Sequence, residues 1–214
     1  MRAIFKKCSS LTQIPDISKW NTNKLTDMGC IFMECSSIAK LPDISNWNTE
    51  NVTIMNGIFA RCTNLKSLPD ISKWKTNKVI DMGCIFSECS SIVHLPDISI
   101  WAIDNVINMN AMFYKCSSLI SLPNISSWNT SLVTDMSLMF TNSITLTSLP
   151  NISKWNLSSV ENMNDFCENC ISLLNKPNYG VRIFVKEFPL IGEDRKYYIE
   201  FGDLLDNYLY FINE

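Results

Sequence analysis

The 214-residue chain is 46% apolar and 18% charged, the proportions of a globular protein rather than of a disordered tail or a coiled coil. Its length suits one substantial domain and does not require two. Residues 178–214 hold four basic and seven acidic side chains, so the net charge of −3 resides there and residues 1–177 are formally neutral; the basic stripe of a nucleic-acid binder is missing.

From the N-terminus, Met1-Arg-Ala-Ile-Phe-Lys-Lys7 lacks the long apolar core of a secretion signal. No later apolar run approaches the roughly 20 residues that cross a bilayer. The chain is therefore expected to be neither exported nor inserted in a membrane.

Internal repetition dominates residues 1–177. Tryptophan recurs at Trp20, Trp47, Trp74, Trp101, Trp128 and Trp155, always 27 residues apart. Proline keeps the same step from Pro15 to Pro177, methionine from Met1 to Met163 and phenylalanine from Phe5 to Phe140. The run Met-Gly-Cys-Ile-Phe at residues 28–32 returns at 82–86, two units later, which suggests duplication of a two-unit block.

Within a unit, Val79, Met82, Ile85, Phe86 and Cys89 have the spacing of one helical stripe. A helix is expected there, with Asn23, Asn77, Asp104, Ser131 and Ser158 as N-caps, Glu50 as a poor one, and Ser158 with Glu161 at capping-box spacing. After it, Leu65, Leu68 and Ile71 read as a short strand turning a corner, kept short by Pro69. One such helix buries little alone, so units must stack, each covering the next at about the 4.8 Å spacing of paired strands. The expected fold is an α/β, leucine-rich-repeat-like solenoid over residues 1–177, about 6.5 repeats.

Residues 178–214 carry none of the repeat columns. Strands are expected at 181–188 and 197–201, around Gly192-Glu-Asp-Arg195. Asp203 would then cap a short helix through Leu204, Leu205, Tyr208, Leu209 and Ile212. This small β-hairpin and helix would cap the C-terminal end or serve for docking. At the other end Met1 already occupies the methionine column, so the first rung reads as an open edge, which either residues of a longer protein precede or another chain covers by self-association or in a larger assembly.

The unit L-x-x-L-P-D-I-S-x-W-N-T-x-x-V-T-x-M-x-x-I-F-x-x-C resembles the BspA-type leucine-rich-repeat surface proteins, whose tandem repeats abound in mycoplasma surface proteins. The resemblance implies a curved solenoid used for adhesion or protein recognition, without catalysis, at a surface. An export signal or lipoprotein cysteine of that family is not seen in this sequence.

The chemistry-bearing residues point the same way. Cys8, Cys35, Cys62, Cys89, Cys116 and Cys170 share one column, with Ser143 on the remaining rung. In-register thiols suit disulfide geometry badly. They are expected as buried small hydrophobes, in an odd total of nine that favours a reducing, intracellular compartment. Cys167-Glu-Asn-Cys170 lacks the second pair or nearby histidines that zinc requires.

The single histidine, His94, has no partner for general-base work. No phosphate loop or nucleophile elbow appears among six glycines. No enzyme, metal or cofactor is expected. The column Asp16, Asp43, Asp70, Asp97, Asn124 and Asn151 is read as accepting backbone N–H groups in its own turns, with a cation ladder or a partner-binding edge as alternatives.

Partner-binding residues are sought where columns vary while the scaffold repeats. These are Lys40 and His94 in one column, Lys66, Val93 and Ile120 in the next, and Lys73 and Ile100 in a third. Val93, Ile100 and Ile120 are expected to form a small apolar patch. The function expected first is a non-catalytic protein–protein interaction scaffold. A structural subunit of a virus particle or cell-surface layer comes second, and an enzyme with its site in the C-terminal segment is a remote third.

Overall fold

In the computed structural model, residues 1–174, 201–203 and 206–208 are described. The 27-residue units coil in register, but the coils are not built as expected. Among the described residues, regular secondary structure is confined to α1 (Ile171–Leu174), β1 (Phe201–Asp203) and β2 (Asp206–Tyr208). Residues 1–170 contain no helix and no extended strand, only turns and single-residue bridges. The expected α/β class is therefore wrong.

The helical stripe failed for a specific reason. Met28, Ile31, Phe32 and Cys35 are all buried at i, i+3, i+4 and i+7 spacing, which a helix would satisfy. Here tight turns satisfy it instead. Ile31 N donates to Met28 O (3.4 Å) and Cys35 N to Phe32 O (3.1 Å). Cys30 (φ 57°) and Glu34 (φ 63°) stand third in these two turns, the position at which type II turns demand positive φ. Turn corners point inward and turn centres point out. The amides a helix would bond internally then reach the neighbouring coil: Met28, Cys30, Phe32 and Glu34 N donate to Ile54, Asn56, Ile58 and Ala60 O at 2.8 to 2.9 Å. Later coils repeat the pattern, for example at Met82, Cys84, Phe86 and Glu88.

The expected N-caps are corrected too. Asn23 lies inside the turn closed by Leu25 N on Thr22 O (2.9 Å), and its own N–H is bound by Asn21 Oδ1 (3.1 Å). In place of short strands there are two files of bonds between coils. Parallel bridges run Asp27, Ile54, Asp81, Asn108, Asp135, Asn162 on one side. On the other, Lys66 N bonds Ala39 O, Ile120 N bonds Val93 O, and Thr147 N bonds Ile120 O.

The core is made of columns. Rings of Phe5, Phe32, Phe59, Phe86, Phe113 and Phe140 stack in one file at 5.4 to 5.9 Å. Phe166 continues it edge-on at 5.2 Å. It comes from the adjacent Ile/Met column, and Cys167 stands where the next phenylalanine would be. Trp47, Trp74, Trp101, Trp128 and Trp155 are buried, whereas Trp20 on the first coil is 37% exposed. Indole N–H groups of Trp47, Trp74, Trp101 and Trp155 each donate to an isoleucine carbonyl 30 residues earlier, at 3.1 Å.

The expected strands at 181–188 and most of 197–201, and the start and end of the expected final helix, fall outside the described residues. Where they are described, residues 206–208 are β2 and not helix, paired antiparallel with β1 in a register that sets Asp203 opposite Asp206. Asp203 thus ends a strand instead of capping a helix.

Candidate functional site

The variable columns emerge on the surface, beside three separate hollows of the coil. Val93 and Ile120 are exposed neighbours, joined by Ile120 N to Val93 O at 3.2 Å. His94 lines an adjoining hollow of ≈ 420 Å³ with Leu95, Asp97, Ser121 and Leu122. Two coils earlier Lys40, bridged to Ser67, lines the equivalent hollow of ≈ 470 Å³, and the exposed Lys66 follows Ala39 in the Val93 column. Ile100, 66% exposed, lines a third hollow of ≈ 700 Å³ together with Lys73, Trp74, Lys75 and Ala102.

The aspartate column serves its own turns. Oδ1 of Asp16, Asp43, Asp70 and Asp97 accepts the N–H of the serine two residues on, at 2.9 to 3.0 Å. Asn124 and Asn151 make the same bond. These hydrogen bonds hold the four exposed carboxyls below their ordinary pKa, with Lys73 assisting at Asp43 and Asp70.

The thiol column is more than hydrophobic filler. Sγ of Cys35, Cys62, Cys89, Cys116 and Cys170 donates to the carbonyl of the phenylalanine 30 residues earlier, at 3.0 to 3.1 Å. Ser143 fits among them because its hydroxyl makes the same bond to Phe113 O at 2.7 Å. All nine cysteines are free. Burial pushes Cys35 up to about 11 and Cys62 and Cys116 up to about 12, far from nucleophilic thiolate. Cys167 is the exception: its hydrogen bond with Cys170 lowers its pKa and raises that of Cys170.

Among the described residues no group of three or more His, Cys, Asp or Glu side chains is placed to hold a metal ion. No helix among them is long and apolar enough to cross a membrane.

Two surface features escaped the sequence reading. The outer turn positions Glu34, Arg61 and Glu88 form an alternating charge file, with Arg61 at 3.9 Å from Glu34 and 3.1 Å from Glu88. The second is the loss of a turn acceptor at Lys75 and Ala102. Its signal was present as two breaks in an otherwise asparagine column: Asn21, Asn48, Asn129 and Asn156.

The family model described as "Mycoplasma protein of unknown function, DUF285" matches residues 1–120 and 92–182. No curated protein matches the chain. Among solved structures, the crystal structure of a T. pallidum leucine-rich repeat protein is similar, with 16% identity and a TM-score of 0.38 over 70% of this chain and 72% of that one. That score is too low to carry an argument.

Proposed function

The chain belongs to the DUF285 family, and from that premise we propose that it is a non-catalytic protein-recognition module of the BspA-like, leucine-rich-repeat kind, built on a 27-residue unit. One observation carries this reading: the constant apolar columns lie inside, and the columns that vary lie outside. Trp, Met, Phe and Cys columns are consumed by the core and its hydrogen bonds. In the column Ala39, Lys66, Val93, Ile120, Thr147 backbone bonds join Lys66 to Ala39, Ile120 to Val93 and Thr147 to Ile120. Such a surface changes its side chains without disturbing its scaffold. Val93, Ile120 and His94, with Lys40 and Lys66, are the residues assigned to partner contact on this face; Ile100 and Lys73 serve at a second place.

Affinity capture from native extract tests the reading. The intact chain is expected to retain a protein that the Val93→Ser/Ile120→Ser variant loses, with both folded by circular dichroism. Equal retention by the two chains removes this face from the binding surface, and retention of nothing by the intact chain overturns the recognition role.

A further inference from the structure

Resting on the recognition reading, we infer that the hollow at Lys73–Asn77, Ile100 and Ala102 is a receptor for an acidic, aliphatic peptide segment, whose carboxylate takes the place of a missing asparagine side chain. In four coils the residue after tryptophan is asparagine, and its Oδ1 accepts the backbone N–H two residues on. The bonds are Asn23 N to Asn21 (3.1 Å), Glu50 N to Asn48 (3.0 Å), Ser131 N to Asn129 (3.2 Å) and Ser158 N to Asn156 (2.9 Å). Each coil thus supplies its own acceptor for that N–H. The two successive coils between them supply none, because the residue is Lys75 in one and Ala102 in the other. The N–H of Asn77, which lines the hollow, is left for another acceptor.

What surrounds that N–H selects a carboxylate. Lys75 replaces the missing acceptor with a cation, and no ion pair occupies it among the described residues. Lys73 stands on the same rim, its charge shared with Asp43 and Asp70. Asp104, the equivalent of Asn77 one coil on, is turned to its other side, where Asn129 Nδ2 binds it at 2.9 Å. A backbone N–H beside an ammonium group is the donor set that favours a charged acceptor.

Ile100 and Ala102 set the rest of the ligand. Among the described residues Ile100 is the most exposed of the large apolar side chains at 66%, in a column that otherwise holds Lys19, Asn46, Lys73, Ser127 and Lys154. It flanks the hollow with Ala102, and a branched aliphatic side chain covers such an apolar edge best.

A separate observation marks the same turn. The buried hydroxyls of Thr49 and Thr130 donate to the next coil, at Lys75 O (3.0 Å) and Asn156 O (2.8 Å). The hydroxyl of Thr76, in the hollow's wall and equally buried, has no partner. The 75–77 turn is therefore tied to its neighbour more loosely than the turns at Thr49 and Thr130.

The test is an amide NMR titration of the full chain with an N-acetylated hexapeptide alternating glutamate with isoleucine or leucine, beside the same peptide carrying glutamine. The expected result is a shift of the Asn77 amide and the Ile100 methyls by the glutamate peptide alone, weakening with added salt. Lys75→Asn restores the internal acceptor, so it is expected to keep or raise the melting temperature while weakening binding about tenfold or more. Ile100→Ser is expected to weaken it by a similar factor. Unchanged binding by Lys75→Asn, an equal response to the glutamine peptide, or no shift at Asn77 overturns the proposal. Inorganic phosphate competing with no dependence on Ile100 overturns the peptide assignment. A Lys75→Asn chain that still captures the intact chain's partner, with peptide binding lost, leaves the recognition role standing; capture of nothing by either chain ends that role and leaves the titration to judge the hollow.

Discussion

Gly29 and Asn56 meet across neighbouring coils. A Cβ on Gly29 would lie 2.5 Å from Asn56 Oδ1, and one on Gly83 would lie 2.5 Å from Asn110 Oδ1. The asparagine of one coil folds over the bare backbone of the coil before it at Gly29/Asn56 and Gly83/Asn110, whereas Ser137 precedes Asn164 in the same column. At these two places the glycine of the recurring Met-Gly-Cys-Ile-Phe run meets a packing need. Gly29→Ala is expected to cost about 1–3 kcal/mol by overpacking. Adding Asn56→Ala should recover most of it, because Asn56 Oδ1 is buried without a partner and its removal forfeits no bond. A double-mutant cycle in urea measures the coupling; additive losses would refute the steric account.

The turns are the element that the sequence concealed. Among the described residues fourteen hold positive φ, and only Gly57 among them is a glycine. Cys30, Cys84, Arg61 and Lys115 are residue types that announce no left-handed turn, so nothing in their identity argued against a helix. Core membership was legible, because burial reads as spacing whichever backbone produces it; the backbone itself was not. Nor were the roles of the thiols, since a donor to a carbonyl 30 residues away leaves no local pattern. The left-handed positions also carry the charge file Glu34, Arg61, Glu88 on the outer wall. Arg61→Glu would align three carboxylates in register where opposite charges now alternate. The expected cost is about 1 kcal/mol at low salt, shrinking as salt is added. Thermal melts at two ionic strengths check it, and a salt-independent loss would show that the file contributes through packing instead.

For the molecule as a whole, the buried thiols make stability fall at alkaline pH. In the fold Cys35 titrates at about 11 and Cys62 and Cys116 at about 12, against an ordinary value near 9.0. These raised values mean that the folded chain keeps protons the unfolded chain releases. Stability is therefore complete below about pH 8.5 and declines as pH rises toward 12. Denaturant midpoints between pH 7 and 11 should fall progressively, and a Cys62→Ser/Cys116→Ser chain, which copies the arrangement at Ser143, should fall less steeply. Parallel curves would show that these thiols do not govern the alkaline limit.

Among the described residues of the repeats, the bonds that tie one coil to another run to the coil beside it, between residues 24 to 30 apart along the chain. None of them spans the stack, so the chain behaves under tension as a wound cord with equal loops. Drawn from its ends in a force experiment, it should pay out one loop at a time, each releasing about 90 Å of extended backbone. A single deleted residue would be felt differently from a deleted loop: the first throws every column beyond it out of line, while the second merely shortens the cord.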